Sequence, residues 1–131
     1  ETAETIQGQL KFTVRTNYST PPSFGARLVN HVLASDALTD EWKTELEVMR
    51  ERMHTMRQQL VTKLGELRPD VDFSYLAAQV GMFSYTGFSP EQIKRLKDEF
   101  GVYLIASGRM CVAGLNTRNI EATAKAFAAV C

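Results

Sequence analysis

The sequence has 131 residues, 44% of them hydrophobic, which is enough for one ordinary globular domain with a core of its own. Its 15 basic and 15 acidic residues give a formal net charge of zero, so no strong field attracts a polyanion and we expect no nucleic-acid partner. Apolar runs such as residues 102–106 are far too short to cross a bilayer, so we expect no membrane partner, and two isolated cysteines fit a reducing cytoplasm.

The first elements in the chain are predicted to be helical. Apolar residues at intervals of four predict one or two helical turns within residues 5–14; they are Ile6, Leu10 and Val14. The Pro21–Pro22 pair then disfavours helix in the residues before it. A second helix is predicted from there to about Ala34, and Ser35 or Asp36 can cap the helix that follows.

The clearest pattern begins at about Glu41 and predicts one long helix. Apolar residues recur at steps of four and three and form one helical face: Trp42, Leu46, Met49, Met53, Met56, Leu60, Leu64 and Leu67. Gly65 with Pro69 is expected to end this helix, which would be about 35 Å long and able to bridge two domains. A coiled coil or a core helix would show the same face, and we interpret its methionines as packing residues.

Beyond Pro69 the pattern changes to a mixture of strands and helices. Four extended segments are predicted, at residues 73–76, 80–86, 102–106 and 110–113. Ser89, Pro90 and Gln92 have the spacing of a capping box at the start of a helix that Gly101 ends. Asn116 is expected to cap a last helix, from Arg118 to about Val130. These elements together predict an α+β domain.

The most informative single residue is Arg109, in the segment IASGRMCVAGL between two apolar runs. No glycine-rich phosphate loop, no spaced metal ligands and no nucleophile elbow is found elsewhere in the sequence. An arginine in a crowded, partly dry setting is expected to hold a carboxylate or phosphate through two parallel hydrogen bonds. The residues alone slightly favour a structural salt bridge to a glutamate over a ligand, and leave both open.

Three motifs in this order resemble the C-terminal part of the aspartate and aromatic aminotransferases, which are pyridoxal phosphate (PLP) enzymes of fold type I: VRTNYSTPP, GMFSYTG and SGRMCVAGL. The likeness runs nearly end to end, and the third motif looks most like the bacterial aromatic (tyrosine) enzymes. The resemblance implies that residues 1–40 form the end of the large domain and an interface loop. It makes residues 41–68 a long connecting helix and residues 69–131 the α+β small domain.

The resemblance also implies roles for five residues. Arg109 matches the arginine that binds the substrate α-carboxylate, and Phe83 matches an aromatic residue that lines the substrate pocket. Arg15 matches the arginine that the neighbouring subunit contributes to pair with the distal carboxylate of a dicarboxylic substrate. Ser19 and Thr20 would lie at the same subunit junction, and Thr20 departs from the asparagine that is usual in aspartate-selective enzymes, which favours the aromatic type.

The function implied is amino-group transfer between aromatic or dicarboxylic amino acids and 2-oxoglutarate, by a PLP-dependent homodimer in the cytoplasm. Its partners would be amino-acid and 2-oxo-acid substrates. The motif that carries the family's Schiff-base lysine is not recognisable, so we expect no catalytic, cofactor-binding or metal-binding residue in this chain and no activity from it alone. The alternative is a free-standing helical interaction module.

Overall fold

Six α-helices and one two-stranded sheet make up residues 2–131, the part of the chain that the computed structural model describes. The helices are α1 (Thr2–Asn17), α2 (Phe24–Leu33), α3 (Asp36–Leu67), α4 (Ser74–Ala78), α5 (Pro90–Phe100) and α6 (Ile120–Val130). The strands are β1 (Phe83–Tyr85) and β2 (Arg109–Cys111), and a 3-10 turn follows at Val112–Gly114. The predicted α+β class is confirmed, with helices predominating.

The chain divides into two compact units, residues 1–44 and 45–131. In the first unit, α1 is longer than the one or two turns expected, and α2 has nearly the predicted bounds. Ser35 caps α3 as predicted, because its hydroxyl oxygen accepts a hydrogen bond from the Leu38 amide at 3.4 Å. The domain boundaries expected after residues 40 and 68 stay a prediction.

Helix α3 is longer than the sequence pattern indicated. Its 32 residues make it about 48 Å long, and it begins five residues before the predicted start at residue 41. The expectation that Gly65 helps to end it was wrong, because Gly65 lies inside the helix and the Arg68 amide still donates to the Leu64 carbonyl at 2.8 Å. Arg68 follows the last helical residue and precedes Pro69, so the helix ends where a proline disfavours helical geometry in the residue before it.

The apolar face of α3 is buried only over its C-terminal half. Met56, Leu60 and Leu64 belong to the core of the second unit, and Met53 is partly buried against it. The remaining members of the predicted face are exposed: Trp42, Leu46, Met49 and Leu67. The interpretation of the methionines as packing residues is therefore confirmed for Met56, holds in part for Met53 and was wrong for Met49.

The core of the second unit joins α3 to α4, α5, β2, the 3-10 turn and α6. Phe127 of α6 is 1% exposed, and its ring meets the ring of Phe88 edge to face, with centroids 5.0 Å apart. Other side chains of this core are Phe73, Leu76, Leu96, Met110, Val112, Leu115, Ile120, Ala124, Ala126 and Val130. The sheet and α4 are thus attached to α3 through one continuous apolar cluster.

Two of the four predicted extended segments were wrong. Residues 73–76 enter helix α4 instead, because an Asp72 carboxylate oxygen accepts from the Ser74 amide at 2.8 Å and so satisfies a free donor at the helix start. Residues 102–106 alternate between partly buried and exposed, yet they have no strand partner within residues 2–131. Residues that favour strands also favour half-buried positions in general, and such a segment becomes a strand only when another segment pairs with it.

The other two segments contain shorter strands than expected. Only Phe83–Tyr85 pairs within residues 80–86, and only Arg109–Cys111 pairs at the second segment, where Val112–Gly114 turns away as a 3-10 turn. Helix α6 also begins late, at Ile120 rather than Arg118. Asn116 accounts for this, because its side-chain oxygen accepts from the Arg118 and Asn119 amides and holds these residues in a turn.

The predictions for α5 were confirmed at both ends. The Ser89 hydroxyl oxygen accepts from the Gln92 amide at 3.3 Å, and the Ser89 amide donates to the Gln92 side chain at 2.8 Å, which completes the capping box. Gly101 ends the helix with a left-handed φ of 65°. Among the helices described in residues 2–131, none combines the length and the hydropathy that a membrane span requires.

Candidate functional site

The two-stranded sheet presents one buried and one exposed face. Its strands are antiparallel, with Ser84 opposite Met110 in the centre, flanked by the pairs Phe83–Cys111 and Tyr85–Arg109. Because successive strand residues point to opposite faces, Ser84 and Met110 are buried, at 0% and 6% exposure. The remaining four side chains are exposed and form what we call the sheet face: Phe83, Tyr85, Arg109 and Cys111.

Arg109 lies over an aromatic ring on the sheet face. Its guanidinium carbon is 4.6 Å from the centroid of the Phe83 ring, a cation–π contact between diagonal neighbours on the two strands. Within residues 2–131 no carboxylate pairs with Arg109. The expected structural salt bridge is therefore not formed, and the expected partly dry setting was wrong because Arg109 is exposed. Its N–H donors remain available to a ligand.

The backbone before Arg109 is fixed by Gly108 and Thr86. The Gly108 carbonyl accepts from the Thr86 amide at 3.0 Å and from the Thr86 hydroxyl at 2.9 Å. Gly108 is buried and has a left-handed φ of 76°, and its amide closes a turn by donating to the Ile105 carbonyl at 2.8 Å. The chain is thus locked immediately before the arginine.

The outer edge of β1 is held by side chains from α4 and the loop after it. The Gln79 carboxamide accepts from the Tyr85 amide at 2.8 Å and donates to the Tyr85 carbonyl at 3.0 Å. The Tyr75 hydroxyl donates to the Thr86 carbonyl at 2.5 Å. Burial is the main cause that raises the pKa of Tyr75, so this phenol stays protonated as a donor at neutral pH.

A third arginine, Arg57 of α3, lies under the sheet and was missed in the sequence analysis. It is 4% exposed and donates to the Leu76 carbonyl at 3.0 Å, to the Gly81 carbonyl at 2.8 Å and to the Ser84 hydroxyl. Burial lowers the pKa of this guanidinium. The spacing offered a signal, because Arg57 follows Met53 by four residues and so lies on the buried stripe of α3.

The structure places Arg15, Ser19 and Thr20 in the first unit. Arg15 is exposed in the last turn of α1, and together with Ser19 it lines a groove of about 480 Å³. Ser19 has a left-handed φ of 57°, unusual for a residue other than glycine, and Thr20 is exposed beside it. Arg109 and Phe83 belong to the second unit. No group of three His, Cys, Asp or Glu side chains suited to a metal ion occurs among residues 2–131.

Comparison with known proteins gives a consistent picture. The family model described as aminotransferase class I and II matches residues 2–127. The chain is 59% identical over 130 residues to the aromatic-amino-acid aminotransferase of Escherichia coli (strain K12) and to the tyrosine aminotransferase of Klebsiella pneumoniae. Each match covers 99% of this chain and 33% of the relative, so the chain spans about a third of the length of these curated relatives.

Solved structures of aminotransferases agree with the sequence comparison. An aromatic-amino-acid aminotransferase from Burkholderia pseudomallei, covalently bound to pyridoxal phosphate, is 48% identical with a TM-score of 0.90 over 98% of this chain and 32% of that one. An aromatic amino acid aminotransferase with 3-indolepropionic acid is 42% identical with a TM-score of 0.87, over 95% of this chain and 32% of that one.

Gly108→Ala is predicted to destabilise the second unit. A Cβ at this position would lie 3.1 Å from the Thr86 hydroxyl oxygen, and alanine would have to adopt the left-handed φ, at a cost of about 1–3 kcal/mol. Gly114→Ala is the control, because no heavy atom lies within 4 Å of its Cβ position and its φ is not left-handed. Urea denaturation would measure both, and equal free energies of unfolding would contradict the prediction.

Proposed function

Because the chain belongs to the class I and II aminotransferases, we propose that it is the C-terminal third of a PLP-dependent aromatic-amino-acid aminotransferase whose sheet face binds the substrate. The observation that carries this proposal is the Arg109 guanidinium, exposed over Phe83 and without a carboxylate partner among residues 2–131. The intact protein would act in the cytoplasm as a homodimer on amino acids and 2-oxo acids.

Arg109 is suited to hold the substrate α-carboxylate. A guanidinium presents two parallel N–H donors that match the two oxygens of a carboxylate, and it stays charged at any physiological pH. The Phe83 ring covers one side of the guanidinium and so favours binding through its edge. Since every amino acid and 2-oxo acid carries this carboxylate, one anchor serves all substrates and orients the bond that reacts.

Arg15 is proposed to select the side chain of the substrate from the neighbouring subunit. It is exposed and forms no ion pair with the carboxylates of residues 2–131, so it can pair with the distal carboxylate of glutamate, aspartate or 2-oxoglutarate. An aromatic substrate offers no such partner, and a charge left unpaired beside an apolar ring is costly. Arg15 would therefore move aside for tyrosine, with Ser19 and Thr20 at the same junction.

The lysines of this chain do not fit the cofactor. PLP supplies an electron sink for amino-group transfer, and it is held by a lysine whose amine must lose its proton. All six lysines lie on helices, and four of them pair with carboxylates: Lys43, Lys63, Lys94 and Lys125. The hydrogen bonds to Glu121 and Asp98 raise the pKa of Lys63 and of Lys94, which favours their protonated form. Lys11 and Lys97 are exposed. We infer that the lysine and the other cofactor ligands belong to the rest of the protein and that this chain alone is inactive.

One observation bears on the second candidate, a free-standing helical interaction module. Helices α1 and α2 bury no residue and expose apolar side chains: Ile6, Leu10, Phe12, Val14, Phe24, Leu28, Val29 and Leu33. Contiguous apolar surface marks a region that contacts another chain segment or protein. Such contacts are equally expected for one third of a larger enzyme.

Retention of PLP tests the inference about the lysines. The 131-residue chain, incubated with PLP, reduced with borohydride and desalted, is predicted to retain far less than one PLP per chain, because four of its lysines pair with carboxylates and the other two are exposed on helices. Mass spectrometry would measure the labelled fraction and its position. Stoichiometric labelling of a single lysine would contradict the inference.

Arg109→Lys in the full-length enzyme is predicted to lower kcat/KM for tyrosine and for glutamate to a similar extent. A lysine cannot form the two parallel bonds, and losing one charge-assisted hydrogen bond of about 1.5–3 kcal/mol lowers kcat/KM about 10- to 150-fold. Steady-state kinetics with both substrates would measure this. Arg118→Lys, at another exposed arginine of the second unit, is the control. Unchanged kcat/KM for Arg109→Lys would refute the anchor.

Arg15→Ala is predicted to act on dicarboxylic substrates selectively. Loss of the distal ion pair should lower kcat/KM for glutamate and aspartate at least about tenfold more than for tyrosine, which makes no such pair. Arg27→Ala, at an exposed arginine of α2, is the matched control in the first unit. A larger loss with tyrosine than with glutamate would reverse the assignment.

A further inference from the structure

Arg57 is a buried cation without an anionic partner. It is 4% exposed, and within residues 2–131 no carboxylate forms an ion pair with it. Arginine is almost never so deeply buried unless its donors have partners, and here two backbone carbonyls and one hydroxyl accept hydrogen bonds from its two terminal nitrogens. Apolar packing alone would be served at lower cost by a methionine or leucine. The hydrogen bonds of Arg57 therefore call for an explanation beyond core packing.

All three acceptors lie on one short stretch of chain, the return from α4 into β1. Leu76 is in α4, Gly81 bends the chain with a left-handed φ of 84°, and Ser84 is the central residue of β1. Nη1 of Arg57 donates to the Leu76 carbonyl and the Ser84 hydroxyl, and Nη2 donates to the Gly81 carbonyl. A planar guanidinium fixes the directions of these bonds, so one side chain of α3 sets the path of the whole stretch.

The bond to Ser84 determines which side chains reach the sheet face. With Ser84 held underneath, its neighbours Phe83 and Tyr85 must point the other way. Ser84 also pairs with Met110, and in this register Arg109 lies diagonal to Phe83. A slip of one residue would exchange the two faces. Three-residue strands have few pairs of their own to prevent it.

We propose that Arg57 is a positioning residue for substrate-carboxylate binding, which holds Ser84 under the sheet so that Phe83 supports the guanidinium of Arg109. This inference rests on the function proposed above. Arg57 does not touch the substrate. It acts through Ser84 on the contact between the Phe83 ring and the guanidinium of Arg109.

The test measures binding of 3-indolepropionate to the full-length holoenzyme by isothermal titration calorimetry. This probe has a carboxylate and an aromatic ring but no amino group, so its dissociation constant reports binding without turnover. Arg57→Met is predicted to raise that constant at least about tenfold, the effect of losing one well-placed charge-assisted bond. Arg57→Lys keeps the charge and some of the bonds and should raise it less. Ser84→Ala, which removes only one acceptor, should raise it a few-fold.

A double-mutant cycle separates positioning from general damage to the fold. In the Arg109→Lys background, Arg57→Met is predicted to change the dissociation constant by less than about twofold, because the contact that it positions is already lost. Arg50→Met is the control, since Arg50 lies two turns earlier on α3, is exposed and pairs with Glu47. It should leave the dissociation constant unchanged.

The inference is overturned if folded Arg57→Met binds the probe as the unmodified enzyme does, or if its effect is the same size in the Arg109→Lys background. If Arg57→Met fails to fold, the test rests on Arg57→Lys and Ser84→Ala. An unchanged dissociation constant in both of these variants overturns the inference. Arg109→Lys alone separates the two proposals. If that variant binds the probe normally, the proposed function fails, and if it binds weakly while the Arg57 and Ser84 variants bind normally, only the positioning role fails.

Discussion

Ser84 and Met110 face each other across a sheet of only two strands, and the arrangement of the candidate site follows from this one pairing. An isolated two-stranded sheet is marginally stable in water, so the pairing depends on its surroundings. Here the buried face of the sheet packs on the core, while α3 and the region of α4 supply hydrogen bonds from Arg57, Gln79 and Tyr75. The exposed face can therefore carry a cation and two aromatic rings without contributing to the core.

Elements with strong local signals could be predicted from the sequence. Helix α2, the capping box of Ser89 with Gln92, and the end of α5 at Gly101 depend on residues that are neighbours in the chain, and all three were confirmed. The segments at 73–76 and 102–106 were not predictable in this way, because β propensity reports half-burial and cannot tell whether a partner strand exists. The length of the buried stripe on α3 likewise depends on what packs against it.

The candidate site was accessible to sequence reasoning only in part. Composition and spacing singled out Arg109 but favoured a salt bridge, whereas the structure shows it exposed over Phe83. Strand register sets the face of the sheet on which an arginine lies. In a three-residue strand, the alternation of apolar and polar residues is too short to show that register in the sequence. Phe83, Arg15, Ser19 and Thr20 were found through motif resemblance, and their roles rest on family membership. Arg57 had a readable position on the α3 stripe that was overlooked because charged residues are normally assigned to the solvent side.

The carboxamide of Gln79 has a further consequence for the behaviour of the protein in concentrated solution. A short sheet with a bare edge offers unpaired N–H and C=O groups to any extended segment of another molecule, and such edges nucleate intermolecular β-structure. At Tyr85 both of these groups are already engaged by Gln79. An incoming strand would have to displace that side chain before it could pair there, so an exposed, aromatic strand end is protected from self-association by a single amide.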